Sequence, residues 1–268
     1  MRNTRTLLSA ILLACTVGFF TACNNQNDTV TKDGISQDVL DKVNQLGFST
    51  ANMTTTEGGY IVEGDIFLSY EDLNHAHDRK FLRVGTEEQY HTTNLVKNLP
   101  RTISISISSQ LPTSYVAALD EAIRRYNAEN LQLTFVRVAS GATISIVKAP
   151  NSAQYLASAG FPTSTGNPHN QVLVNSRYLG SNPGTNYLAT ILAHEIGHCI
   201  GFRHTDYMGR QYSCGGQAVN EGASTVGAIL IPGTPSSPDP NSWMLACIGS
   251  GVSRPFNSND KVALNYLY

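Results

Sequence analysis

Ile103, Ile105 and Ile107 alternate with Ser104 and Ser106. Period two puts the three isoleucines on one face of a strand. Thr113 or Ser114 then offers a cap for a helix in which Val116, Leu119, Ile123 and Tyr126 recur at helical spacing. Leu131, Leu133 and Phe135 predict a second strand, and Ile144 and Ile146 a third. Residues 151–170 are rich in Gly, Pro and Ser and read as a loop turning at Gly166-Asn167-Pro168. Gln171 to Tyr178 reads as one more strand. After Pro183-Gly184, Ile191, Leu192, Ile196 and Ile200 supply the apolar contacts of a helix from about Asn186 to Ile200. Residues 205–241 are irregular, with turns at Cys214-Gly215-Gly216 and Ile231-Pro232-Gly233. Ser258-Asn259-Asp260 can cap a last helix carrying Val262, Leu264 and Leu267. Strand, helix, strand, strand implies a mixed twisted sheet with a backing helix, an α+β domain over residues 100–268.

The pattern before residue 100 differs. Arg2 and Arg5 precede a mostly apolar run from Leu7 to Phe20, so residues 1–22 read as an export signal, too short to span a membrane reliably. Small residues before Cys23 resemble a lipobox, which predicts acylation of Cys23 and a lipid anchor; Leu13-Ala14-Cys15 would leave too short an apolar run. Residues 24–34 form a polar tether. The chain is then expected to be exported, as an outer-membrane or cell-surface lipoprotein, or otherwise periplasmic or secreted. Residues 35–98 form a small N-terminal region. Ser36 caps a helix with Val39, Leu40, Val43 and Leu46 that stops at Gly47, and short strands around Tyr60, Val62, Ile66 and Leu68 are broken by Gly58-Gly59 and Gly64. The region stands where an inhibitory pro-segment would, yet no cysteine or acidic residue in it stands out as a metal plug. His75, His77, His91 and His169 read as surface or loop residues.

A net charge of −2 with only 14% charged residues and no basic cluster excludes the electrostatic footprint of a nucleic-acid binder. Beyond Cys23, three cysteines remain: Cys199, Cys214 and Cys247. In an oxidising compartment one pair can staple the segment after residue 200; three buried thiols are the alternative.

The chemistry is concentrated in His194-Glu195-Ile196-Gly197-His198-Cys199-Ile200-Gly201-Phe202-Arg203-His204. Residues four apart lie on one helix face, so His194 and His198 can present two imidazoles to one metal ion. Glu195 sits beside the first ligand, where it can reach a water without binding the metal. Gly201 can end the helix in a left-handed turn that brings His204 back as a third ligand. Three protein nitrogens and an open fourth position are the pattern of a catalytic zinc site. Satisfied core histidines are the bland reading, and three histidines at ligand spacing weigh against it.

This stretch resembles the zinc motif of the metzincin clan of metallopeptidases. The fuller string, HEIGHCIGFRHTD with SCGG, IPGTPSSPD, SWMLAC and RPFNSNDKVALNYLY, resembles the dual-action HEIGH metallopeptidase family over roughly residues 100 to 268. The resemblance implies a zincin domain with a backing helix, a zinc helix, a Met-turn at Met244 and a C-terminal helix. It also implies that the strand before the zinc helix is the sheet edge lining the cleft. Ala246 stands where some metzincins carry a tyrosine, and Thr205-Asp206 differs from the better-known subfamilies.

The expectation is a monomeric zinc endopeptidase that binds one zinc ion through His194, His198 and His204 and cuts protein or peptide substrates with a zinc-bound water activated by Glu195. Asp206 is a candidate to orient an imidazole, and Tyr207 and Tyr212 are candidates for the oxyanion. No calcium assignment follows from the sequence. The rivals are an exported zinc-containing binding protein without turnover and a zinc hydrolase of a non-peptide substrate.

Overall fold

A computed structural model of the chain describes residues 34–74, 89–207, 209–215, 228–235 and 239–268. The export signal, Cys23, most of the tether, His75 and His77 lie outside the described residues.

The chain begins with helix α1 (Gln37–Gln45), which Ser36 caps by accepting from the Val39 amide. Three short strands follow, β1 (Thr54–Thr56), β2 (Gly59–Val62) and β3 (Ile66–Ser69), and then α2 (Tyr70–Asn74). After β4 (Tyr90–His91), the alternating isoleucines form β5 (Arg101–Ile107), with Ile103 and Ile105 fully buried. Helix α3 (Ser114–Asn127) comes next. Neither residue named from the sequence caps it through its side chain: Thr113 makes no capping bond, and the Ser114 hydroxyl donates to the Ser181 carbonyl at 2.6 Å. Strands β6 (Leu133–Arg137), β7 (Ile144–Lys148), β8 (Ala157–Ala159) and β9 (Gln171–Val174) complete the sheet. Helices α4 (Ser176–Leu179), α5 (Thr185–Ile200) and α6 (Gln211–Cys214), strand β10 (Ile229–Leu230) and helix α7 (Ser258–Leu267) follow. The cap of α7 is Asn257, one residue earlier than expected, in a capping box with Asp260.

The sheet differs from the sequence reading first in its local elements and second in how its N-terminal part joins. The loop expected over 151–170 contains a strand, β8, three residues long and wholly buried. Its Ala-Ser-Ala sequence carries no alternating signal, because both faces of the strand are covered. The strand expected over Gln171 to Tyr178 stops at Val174, where Asn175 caps α4. The second difference concerns the N-terminal region, which does not stand apart. The sheet has eight strands in the order β1-β2-β3-β8-β9-β7-β5-β6. Strands β7, β5 and β6 run parallel, as do β7 and β9; β8 is antiparallel to β9, and β3 lies parallel against β8. Strand β9, expected at the edge, is interior, and β8 is the last strand of residues 100–268 before the N-terminal hairpin.

Helices α3 and α5 pack on one face of this sheet. Tyr126 of α3 joins them, donating from its hydroxyl to the Ala193 carbonyl at 2.8 Å and packing its ring 4.8 Å from both Phe135 and Phe256. Helix α5 is buried on every side from Tyr187 to Ile200. It forms the centre of the domain, and its weak amphipathic signal follows from that. A smaller core of Val43, Leu46, Phe48, Val62, Ile66 and Leu68 holds the N-terminal hairpin and α1.

Candidate metal centre

Helix α5 ends at Gly201, with φ at +114° and its amide bonded to the Gly197 and His198 carbonyls. A side chain there would meet both the left-handed backbone and Leu95, whose Cδ2 would lie 2.7 Å from an added Cβ. The reversal brings His204 back beside the helix. Ring centroids of His194 and His198 lie 4.7 Å apart, those of His198 and His204 4.8 Å, and those of His194 and His204 5.2 Å. All three rings are buried, His198 and His204 completely.

Backbone carbonyls orient two of the imidazoles. His194 Nδ1 lies 2.9 Å from the Trp243 carbonyl, and His198 Nδ1 lies 2.8 Å from the Phe202 carbonyl. An Nδ1–H donated to a carbonyl leaves Nε2 as the acceptor, with its lone pair facing inward. Asp206, the orienter suggested by the sequence, does something else. Its carboxylate accepts from the Ala246 amide at 2.9 Å and from the Ser213 hydroxyl at 2.5 Å, tying the loop after His204 to the segment after Met244.

Met244 is fully buried beneath the helix. Its backbone carbonyl accepts from the Thr205 amide at 2.9 Å. Gly197 allows this approach: a Cβ there would sit 2.7 Å from the Met244 sulfur. Trp243, next in chain, donates from its indole to the Ala193 carbonyl. The carboxylate of Asp260 accepts from the Trp243 amide at 3.3 Å, from Gln89 at 2.9 Å and from the Asn257 amide at 3.0 Å. Residues far apart in the chain thus fix the carbonyl that orients His194.

Sequence reasoning missed Asp65. It follows Glu63 and Gly64 in the turn between β2 and β3, and its carboxylate enters the histidine cluster. One oxygen lies 3.2 Å from His204 Nε2, and the other lies 3.4 Å from His194 Nε2. One ligand atom from each of Asp65, His194, His198 and His204 falls within 4.8 Å of all the others. Only the pairing of β3 with β8 delivers this residue, so no local motif could have marked it.

The turn is locked from outside the cluster. Glu63 adopts a positive φ of 51°, an unfavourable backbone for a residue with a side chain. Its carboxylate receives the Arg203 guanidinium at 2.8 and 3.0 Å. Arg203 also donates to the Gly47 carbonyl at 3.0 Å and stacks 4.2 Å over the Phe48 ring. Both ionic side chains are essentially inaccessible, at 0% and 2% exposure, so the pair needs every one of these bonds.

The donor set fits a divalent ion. His198 Nε2 and His204 Nε2 face each other at 3.2 Å, and two lone pairs at that distance repel unless a proton or cation lies between them. Among the described residues, His194 Nε2, one oxygen of Asp65 and one of Glu195 are buried without a hydrogen-bond partner. Burial holds His198 well below the ordinary imidazole range, helped by the charges of its two neighbours, and the neutral form is the one that ligates. Burial acts to raise the Asp65 carboxyl, but the charges and hydrogen bonds of His204 and His194 outweigh it and lower it. His204 is raised: burial opposes this, and Asp65 prevails. Burial, and then the Asp65 charge, push Glu195 well above the usual carboxylate range.

The remaining expectations fall as follows. Cys214 and Cys247 form a disulfide, and Cys199 is a buried free thiol. The Tyr207 ring packs edge-on against Tyr90 at 4.6 Å, and Tyr212 is 45% exposed. Tyr155, which the sequence did not mark, has a buried hydroxyl with no partner among the described residues. Burial and then the Glu195 charge push it up to about 12. His91 is half-buried in β4 and lowered by burial, and His169 is lowered to about 4 by burial, so neither is a simple surface residue.

A buried helix carrying two imidazoles four residues apart, a third beyond a left-handed glycine and an acid beside the first defines a class: proteins with a histidine-rich cluster able to hold a metal ion. Membership is more specific than that. The chain belongs to the dual-action HEIGH metallo-peptidase family, whose pattern matches residues 60–268. Two solved structures of myroilysin are similar to part of the chain, at 14% and 15% identity, covering 43% and 47% of this chain, with TM-scores of 0.34 and 0.31. The matches span 54% and 59% of the myroilysin chains. No curated protein matches the sequence.

Proposed function

We propose that this chain is a zinc endopeptidase and that the folded full chain is its latent form. The observation that carries the first part is the convergence of three imidazoles beside Glu195, one of whose oxygens is buried and unpartnered. His194, His198 and His204 hold the ion; a site of imidazole nitrogens with one carboxylate suits Zn²⁺. When bound, the ion supplies a Lewis acid for the scissile carbonyl. Glu195 accepts the proton of the attacking water on its free oxygen and delivers it to the leaving amine. Met244 is the Met-turn residue that supports the ligands from below. Peptides or proteins are the substrates.

The second part rests on Asp65. Its carboxylate stands among the three imidazoles, in the place that water and substrate need. Strand β3 covers β8, the strand that an extended peptide would pair with. Residues 35–98 thereby act as the inhibitory segment. Export, a lipid anchor on Cys23 and a monomeric state complete the proposal, and the leading residues that motivate the first two are Arg2 to Cys23.

Two experiments test this reading. Zinc-loaded protein should hydrolyse casein in a chelator-sensitive way once Asp65→Ala clears the cluster and Glu63→Gln releases β3 from β8, and Glu195→Gln in that background should keep its zinc and lose activity by at least about 10²-fold. Full activity without Glu195 removes it as the base, and the absence of any chelator-sensitive hydrolysis refutes the peptidase reading. For latency, cobalt-substituted wild type and Asp65→Ala should differ in visible absorption, and acetohydroxamate should perturb only the variant. Identical spectra and identical responses would leave Asp65 without a role at the metal.

A further inference from the structure

Beside the centre lies a cavity of about 150 Å³. This is well below the ~300–1,000 Å³ of pockets that engulf a whole small molecule, so it suits one side chain. His194, Glu195 and Asp65 border it, which places its opening at the reacting centre. Its walls are mostly apolar, and Ile191, Leu245 and Ile248 are typical of them.

Arg254 is the one arginine or lysine among these lining residues. It precedes Pro255 in the strap between the Met244 segment and α7, and its backbone is pinned to α5: the Arg254 amide donates to the Thr190 hydroxyl at 3.0 Å. Nη1 donates to the Cys247 carbonyl at 2.9 Å. Among the described residues, no carboxylate lies within ion-pair distance of Arg254, and Nε and Nη2 have no hydrogen-bond partner. The guanidinium is half-buried, and the donors it does not spend on Cys247 remain open to solvent, where an arriving carboxylate can displace water and take them. Burial lowers its affinity for its proton while Asp206 and Asp260 act from a distance to raise it.

The wall is rigid before any ligand enters. Cys247 is bonded to Cys214, its amide donates to the Ser213 hydroxyl at 3.0 Å, and the neighbouring Ala246 amide donates to Asp206 at 2.9 Å. A preformed wall lets the charge act in recognition without first being ordered.

The direction of the chain in the cleft decides which substrate residue enters. Ala159 pairs with Ile66 and its amide bonds the Asp65 carbonyl, so the metal cluster lies level with the Ser158–Ala159 end of β8. The cavity borders Leu156 and Ala157, at the other end. A substrate antiparallel to β8 passes the Ala159 end first and the Leu156 end next, so the residue after the cut bond faces the cavity.

We propose that Arg254 is a specificity-determining residue that selects an Asp or Glu side chain on the residue immediately following the scissile bond. This rests on the peptidase reading above. A carboxylate could also arrive as the C-terminus of a short peptide, and the test separates the two sources.

The experiment uses the full chain, zinc-loaded and carrying Asp65→Ala with Glu63→Gln, which also releases β3 from the β8 edge, with Arg254 intact or changed to Gln or Lys. Zinc content and thermal melting confirm that each form is folded. Each is given a degenerate peptide library, one half with free C-termini and one half amidated, and the new N-termini are sequenced. With Arg254, Asp and Glu should lead the new N-termini in both halves, with kcat/KM about 10–100-fold above matched Asn and Gln peptides. Arg254→Gln should erase that ratio, and Arg254→Lys should keep part of it, which a role limited to holding the Cys247 carbonyl would not explain. Cleavage without acidic preference, or a preference unchanged in Arg254→Gln, overturns this proposal and spares the peptidase. Cuts confined to the free-acid half replace the side chain by the terminal carboxylate and overturn the assignment made here. No cleavage by any form removes the peptidase reading and this inference with it.

Discussion

Replacing Glu63 by glutamine should release the N-terminal hairpin from the cleft. The substitution keeps the side chain's size and removes its charge. Arg203 would then remain at 0% exposure with the Gly47 carbonyl at 3.0 Å, the Phe48 face at 4.2 Å, the Tyr207 face at 5.0 Å and a neutral amide oxygen in place of the carboxylate to compensate it. Leaving one member of a buried ion pair uncompensated costs about 3–5 kcal/mol. Gly47, Phe48 and Glu63 all belong to the N-terminal region, whereas Arg203 precedes His204, so the penalty falls on the contact between the two parts. Swinging the hairpin away returns Arg203 to water and relaxes the positive φ of residue 63. At 1.36 kcal/mol per factor of ten, the population with an open cleft should rise roughly 10²- to 5 × 10³-fold. Amide hydrogen exchange on the zinc-loaded full chain reads this directly. Amides of β2 and β3 should exchange faster by about that factor, while α5 should keep its protection. Adding Arg203→Met should restore much of the protection, because the orphaned charge is gone. Unchanged exchange in β2 and β3 would refute the latch. Equal acceleration in β3 and α5 would show that the pair supports the whole fold instead.

Two further outcomes are expected. His204→Ala should lower zinc affinity by at least about 10-fold, measured by competition with a chromogenic chelator, since one of three imidazoles is lost; unchanged affinity would place the third ligand elsewhere. Hydrogen bonds from Arg124, then Arg125, hold the Glu121 carboxyl down at about 2, against an ordinary 4.5 and some burial. A lowered carboxyl stabilises the fold above its unfolded pKa and loses that contribution as pH falls toward its folded one. Glu121→Gln should therefore cost about 1 kcal/mol at neutral pH, after allowance for solvent screening, and the two melting curves should converge between pH 4.5 and 2; a constant gap would assign the loss to packing.

Local pattern by itself determined several things about this chain. Alternation marked β5 and β7, because their apolar residues face one core. The 3.6-residue period marked α3, which has one buried face. The grouping of three histidines with Glu195 was legible because its geometry is local: four residues on a helix make one turn, and Gly201 licenses the reversal that returns His204. Tertiary structure alone decided the rest. Strand β8 has no alternating signature because all three of its small residues are buried, on both faces of the sheet. Cys214 found Cys247, and not Cys199, because α5 takes Cys199 into the core. Asp65 stands 129 positions before His194 in sequence, and only the pairing of β3 with β8 carries its carboxylate to the imidazoles. Arg254 meets the cavity only because the strap before α7 is pinned to Thr190. Ligand spacing on one helix is a property of backbone geometry and can be read from the chain. What covers that helix, and which charge waits beside it, depends on contacts between distant segments, and those exist only once the whole chain has folded.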